Sequence, residues 1–293
     1  MLAVLIRFGA YPLIFGASAS AVLLLADRGI SPWPSFAIVA VLGIAAVALL
    51  ERVQPFEPAW LEDRDDSITD ALHLLVNLGL LSATAYLAYA ARGLVPPSDL
   101  WPSSWPLWAQ VLLAGSIIDL GLYAMHRLSH RAGWLWQLHA PHHSSERLYW
   151  MNGERRHPLS ALCLAGPGLA AVVALGATPL IITSWLTMLA VHLALQHSNI
   201  DYRVGPLRRL LGVAEVHRWH HKREYEDAQV NFGEFWMVWD RLFGTFLDQP
   251  QRIGAGDVGL RERNMPSGYF GQLAWPFRGR VRATVSGATN TTD

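Results

Sequence analysis

The sequence predicts an all-α, multi-pass membrane protein: about four full transmembrane helices plus a hairpin, with a helical, histidine-rich cap on the cytosolic side. Three observations predict it. Apolar residues make up 52% of the 293 and charged ones only 16%, against about 45–50% and about 25% in soluble domains. Apolar runs approaching the roughly 20 residues that cross a bilayer recur along the first two thirds of the chain. Eleven of the twelve histidines fall between positions 126 and 221, and eight of those sit in three tight groups.

Residues 6–26 form the first expected span, broken only by Arg7 at its edge. The run is longer than the about 7–15 apolar residues of a signal peptide and is read as a retained helix. Residues 36–50 form a second span, extendable back to Pro32 and closed by Glu51. The charged stretch 51–69 is a loop or a surface helix. Residues 71–91 form a third span with His73 and Asn77 near its start. Four prolines and two tryptophans make 92–106 an interfacial connection, in keeping with the thirteen tryptophans of the chain and their preference for membrane interfaces. Residues 108–123 form a fourth span that runs directly into the first histidine pair. Residues 159–175 and 180–195, separated by a Gly-Ala-Thr-Pro turn, read as a hairpin. The remainder is polar, and 283–293 reads as a disordered tail. The expected organisation is N-terminal transmembrane helices at 1–107, a histidine-rich domain at 108–248 and a C-terminal cytosolic tail at 249–293.

Basic and acidic residues balance at 23 each, which argues against a nucleic-acid partner. Arg127, Arg131, Arg155, Arg156, Arg208 and Arg209 are among the bases flanking the histidines. The positive-inside rule then places the histidine side in the cytoplasm, at a bacterial inner membrane or at the endoplasmic reticulum of a eukaryote. Four full spans would put both termini there. Cys163 is the single cysteine, so neither an internal disulfide nor a cysteine metal site is available, and a small buried hydrophobe is the ordinary reading.

The histidine groups carry the chemistry. His126 and His130 are four apart, on one helix face. His139, His142 and His143 share an H-x-x-H-H pattern with His217, His220 and His221. Pro141 is compatible with a first helical turn. Three short helices would then aim eight imidazoles at one volume. Imidazole suits Zn, Cu, Fe and Ni, and eight ligands exceed the needs of one ion, so two metals are expected. His197, at the end of the sixth apolar run, is a ninth ligand. His192 lies about 140° away from it around a helix, so the two do not both point inward, and a hydrogen-bonded histidine in the membrane interior is the alternative. His73 reads as structural. His157 either orients substrate or is structural.

Asp119 lies two turns before His126 with Tyr123 between them. An ionisable group inside a span is a functional candidate, and either side chain is placed to accept the distal N–H of a ligand. Asp240 is a third candidate for that role, with a salt bridge to an arginine as its alternative.

Asp119, Tyr123 and His126-Arg127 through His130, His139 with His142-His143-Ser144-Ser145-Glu146, Arg155 with His157-Pro158, Gln196-His197-Ser198-Asn199, His217-Arg218 with His220-His221, Asn231-Phe232-Gly233 and Trp239-Asp240-Arg241-Leu242-Phe243-Gly244-Thr245 form an ordered series. This series resembles the fatty acid hydroxylase / sterol desaturase superfamily over roughly residues 110–248, and most closely the branch of alkylglycerol monooxygenase and many bacterial members. Ala214-Glu215-Val216 departs from a Thr-Pro common in relatives and affects local loop shape. The resemblance implies two iron ions bound by the histidines on the cytosolic face, dioxygen as co-substrate, and attack on an unactivated C–H bond of a lipid to give an alcohol or an alkene. Electrons would come from a separate reductase or small carrier, because the chain has no flavin fingerprint and no cysteine ligands for an iron–sulfur cluster. Three rivals stand beside this reading. A membrane zinc hydrolase would show H-E-x-x-H or three ligands and an open position. A haem carrier would use histidines on facing spans. A non-catalytic metal store would spread polar residues along several spans.

Overall fold

Backbone inside hydrocarbon must satisfy its own hydrogen bonds, and every long apolar run of this chain is helical. The computed structural model describes residues 1–91, 98, 100–262 and 264–278. The expected disordered tail, 283–293, and residues 92–97 and 99 of the interfacial connection lie outside the described residues. The helices are α1 (Leu2–Asp27), α2 (Pro32–Val53), α3 (Ser67–Ala91), α4 (Leu107–Ser129), α5 (Gly133–His143), α6 (Pro158–Leu175), α7 (Pro179–His197), α8 (Ala214–His220), α9 (Val238–Leu242) and α10 (Tyr269–Ala274). Among the described residues, α1, α2, α4, α6 and α7 are long and apolar enough to cross a membrane, and isolated bridges take the place of any strand. The protein is an all-helical, multi-pass membrane domain.

Contacts at the helix ends sort the termini to two sides. Arg7 in the first turns of α1 pairs with Asp201, just beyond the end of α7. Glu51 near the end of α2 accepts the amides of Trp150 and Asn199 at 3.2 Å. Asp70 near the start of α3 accepts from the Tyr149 hydroxyl at 2.6 Å. The C-terminal ends of α4 and α7 carry His126 and His197 on that same side. At the other side the Gly176 turn after α6 lies against the Ser98 backbone. Long helices therefore run alternately between a histidine side and its opposite.

Helix α7 is the central column: 72% of its apolar window is buried, against 22% for α1 and 17% for α2. The outer faces of α1 and α2 expose Leu5, Phe8, Leu13, Leu42 and Leu49, as lipid-facing surfaces should. Helices α4 and α6 touch backbone to backbone. A Cβ on Gly121 would lie 2.7 Å from the Gly168 nitrogen, and one on Gly168 would lie 2.7 Å from the Ile118 carbonyl oxygen. Small residues permit this approach where burial of apolar surface gives no driving force between helices.

The 51–69 stretch is a connection with one short 3-10 turn, Pro58–Leu61, whose Trp60 is buried. Acids at its end and in the first turn of α3 tie that helix to the segment after α5: Arg147 reaches Asp66 at 2.7 Å and Arg155 reaches Asp70 at 2.5 Å. Residues 249–262 and 264–278 of the expected tail fold back onto this side. Ile253 and Val258 join Phe56, Trp60, Leu148 and Trp219 in one apolar cluster, and the Gln272 side chain bonds His73 at 2.9 Å.

Candidate metal centre

Four helices meet at the histidine side, and three of them present imidazoles at helical spacing. The last turn of α4 supplies His126, with His130 as its C-cap; α5 supplies His139, His142 and His143; α7 ends on His197; α8 supplies His217 and His220, with His221 following. Pro141 sits in the last turn of α5 rather than in a first turn, so the helix begins eight residues earlier than its proline alone would suggest.

The nine imidazoles form two groups, in each of which one ring nitrogen per residue lies within 4.8 Å of all the others: His126, His130, His139, His143 and His220, and then His142, His197, His217 and His221. All nine are buried. The Nε2 atoms of His130 and His143 are 3.1 Å apart, and those of His143 and His139 are 3.2 Å apart. In the second group His217 Nε2 lies 3.1 Å from the Nε2 atoms of both His197 and His221. His126 Nε2, His220 Nε2 and both nitrogens of His142 are buried without a partner. Buried polar atoms are ordinarily satisfied, so these converging, orphaned nitrogens could hold metal ions, and the all-imidazole chemistry fits a transition metal.

Tautomers support that fit. The Nδ1 of His126, His220 and His197 lies 2.8, 2.9 and 2.9 Å from the carbonyl oxygens of Phe232, Val230 and Leu193. A carbonyl only accepts, so Nδ1 carries the proton in each and Nε2 offers its lone pair to the centre. Burial first, and the crowding of neighbouring imidazoles second, push His130, His139, His142 and His143 well below the ordinary histidine range. The same causes act on His217 and His221. Neutral imidazole is the form a metal requires.

The three supporting residues behave differently from expectation. Asp119 touches no histidine. Its carboxylate accepts from the amides of Phe235 and Trp236 at 2.8 and 3.0 Å and from the Trp239 indole at 2.9 Å. The Tyr123 hydroxyl meets Thr245 at 3.0 Å and Arg127 at 3.2 Å. Asp240 makes neither a direct histidine contact nor a salt bridge among the described residues. It accepts the amides of Phe232 and Gly233 at 2.8 and 2.7 Å and the Thr245 hydroxyl at 2.6 Å. A carbonyl from the loop thus takes the position expected for a carboxylate, and the carboxylates hold the loop.

His192 stands outside both groups. Its Nδ1 meets the Tyr11 hydroxyl at 2.9 Å, and its Nε2 lies 3.0 Å from the carbonyls of Gly212 and Glu234. His73 bridges the Arg156 carbonyl and Gln272. His157 caps α6 by accepting from the Leu159 amide at 3.1 Å.

Two residues gained roles that spacing does not reveal. Glu234 is fully buried, 3.7 Å from His126 Nδ1, and pairs with Arg156 at 3.0 Å. Both line a cleft among α3, α4, α6 and α7 that offers about 720 Å³ of empty space, part of it open to the outside. Leu81, Leu122, Ala165, Leu186 and Leu189 form its apolar walls. The cleft runs from the lipid-facing zone to the flank of the histidine groups.

Residues 111–245 match the sequence profile of the fatty acid hydroxylase family. The chain is 33% identical over 262 residues to the ornithine lipid hydroxylase OlsE of Rhizobium tropici, covering 86% of this chain and 78% of that protein. It is 28% identical over 160 residues to the alkylglycerol monooxygenase of Danio rerio and 26% identical over 174 residues to that of Homo sapiens. Those two matches cover 52% and 53% of this chain, and only 33% and 34% of the relatives. No solved structure gives a significant match.

Proposed function

As a member of the fatty acid hydroxylase family this chain is a membrane oxidoreductase, and we propose that it hydroxylates a lipid with dioxygen at a pair of iron ions held by its nine clustered histidines. The observation that carries the reading is the convergence of neutral, buried imidazole nitrogens in two groups beside an apolar cleft. His126, His130, His139, His143 and His220 would hold one ion; His142, His197, His217 and His221 would hold the other. Bound iron would supply the oxygen chemistry that no side chain can perform.

The chain's own residues do the rest. The Phe232, Val230 and Leu193 carbonyls fix the tautomers of three ligands, and Asp240 and Asp119 hold the loop that delivers Phe232. The cleft walls would take an acyl chain and exclude water from its inner end. Electrons would arrive from an external reductase or small carrier on the histidine side, which would be the cytoplasmic one by the arginine distribution. The name of the relative that matches most of this chain makes an ornithine lipid the first substrate to try. Removal of two hydrogens, giving an alkene, is the alternative outcome at the same site.

The test is purification from iron-supplemented cells, metal analysis, and turnover with reductant on a total lipid extract. Iron near two per chain, oxygen uptake and a product heavier by one oxygen support the reading. One zinc per chain without oxygen uptake supports a hydrolase instead.

A further inference from the structure

We propose that Glu154, Asn77 and Arg156 form a subsite for the ammonium-bearing polar part of a lipid whose chain lies in the cleft. The inference rests on the lipid reading above. Glu154 closes the short 3-10 turn Trp150–Glu154. It lines the inner end of the cleft and also a smaller neighbouring cavity among Leu74, Leu78, Trp150 and Leu193. Among the described residues its hydrogen bonds run through its backbone carbonyl; burial pushes the carboxyl above the ordinary carboxylate range, and the Arg156 charge, acting beyond ion-pair distance, offsets this only in part.

The surrounding groups say what would satisfy it. The charged side chains lining the cleft are Glu154, Glu234 and Arg156. Glu234 and Arg156 pair at 3.0 Å, and Glu154 feels the same guanidinium only at longer range, so two acids share one base. Asn77 is 3% exposed and gives its amide N–H groups to the carbonyls of Glu154 and Arg156 at 2.8 and 2.9 Å. Two carbonyl partners fix the orientation of that amide, and its Oδ1 is left without a donor. Arg156, 6% exposed, keeps an unpartnered Nε. Two acceptors, the Glu154 carboxyl and Asn77 Oδ1, stand beside a single free donor, Arg156 Nε. A cationic amine fills the acceptors, and a carbonyl next to it fills the donor. With two acids to one base lining the cleft, a ligand cation is the partner that balances their charge.

The test is equilibrium binding to the metal-free full chain in nanodiscs, followed by tryptophan fluorescence. The probes are N-palmitoyl putrescine, which carries a free amine, and its N′-acetylated counterpart. The wild-type chain should bind the free amine about tenfold more tightly, the size expected for one charge-assisted hydrogen bond. Glu154→Gln, which keeps the shape and removes the charge, should bind both probes alike. Ala165→Leu, which narrows the cleft, should weaken both probes and keep their ratio. Equal binding of the two probes by the wild-type chain overturns the subsite, as does an unchanged preference in Glu154→Gln or unchanged affinities in Ala165→Leu. The measurement needs neither iron nor turnover, so an inactive enzyme that still discriminates the probes refutes the hydroxylase reading alone.

Discussion

The Nδ1–H of His126 is held by the carbonyl oxygen of Phe232 at 2.8 Å, across 106 residues of sequence. The Phe232 amide is held in turn by Asp240 at 2.8 Å. This chain of contacts makes Asp240 a positioning residue for an imidazole that it does not touch. Asp240→Asn keeps one acceptor oxygen and loses the other. Metal retention should fall about tenfold, the lower end for residues that orient a ligand, and less than in His126→Ala. Metal analysis after dialysis decides it: full retention would reduce Asp240 to a loop tie with no influence on the centre.

The division of the histidines into five and four makes a stoichiometric prediction. His130→Ala should impair one ion and His217→Ala the other, each moving bound iron from two per chain toward one, with turnover lost in both. A variant that keeps both metals and full activity would remove that residue from the ligand set.

His192 is the internal control. It is buried and bonded to Tyr11, Gly212 and Glu234, so His192→Ala should lower stability by on the order of 2 kcal/mol through unsatisfied partners. Its iron content should remain that of the parent. Thermal unfolding and metal analysis on the same sample separate the two effects.

Acid should act on the metal-free protein in a defined direction. Burial and mutual crowding lower the folded-state values of His130, His139, His142, His143, His217 and His221 below the unfolded value near 6.5. Above about pH 6.5 both states carry neutral imidazoles and these groups contribute nothing. Below it the unfolded chain binds more protons than the folded one, so stability falls as pH falls. Six groups acting together make the decline steep. A melting temperature that stays flat between pH 8 and pH 5 would contradict it.

The α4–α6 contact gives a test of the membrane scaffold. Gly168→Leu must part the two helices, because even its Cβ would meet Ile118 backbone at 2.7 Å. Overpacking of this kind costs about 1–3 kcal/mol or more. The variant should melt earlier and lose metal only as it unfolds, which parallel melts followed by fluorescence and by metal release would show.

The residues that deliver imidazoles were legible because their information is local. Helical spacing puts His126 with His130 and repeats H-x-x-H-H in α5 and α8, and apolar run lengths announce the membrane helices. The same spacing argument separates His192 from His197, which differ by about 140° around α7 at 3.6 residues per turn. Which of the two faces the other histidines was decided by where α7 sits against α8. The partners of the ligands were not legible. A carbonyl has no side-chain signature, so the sequence offers Asp240 as a supporting residue without showing that it acts through the Phe232 carbonyl. Glu234 and Arg156 are 78 residues apart and meet only because the loop between α8 and α9 and the segment before α6 come to one end of the cleft. The sequence by itself determined the class of protein, the membrane setting and the residue type at the centre. Only the tertiary structure decided the grouping into five and four, the tautomers and the meeting of Glu154, Glu234 and Arg156 at one cleft, because those depend on atoms brought together across the chain rather than on periodicity within it.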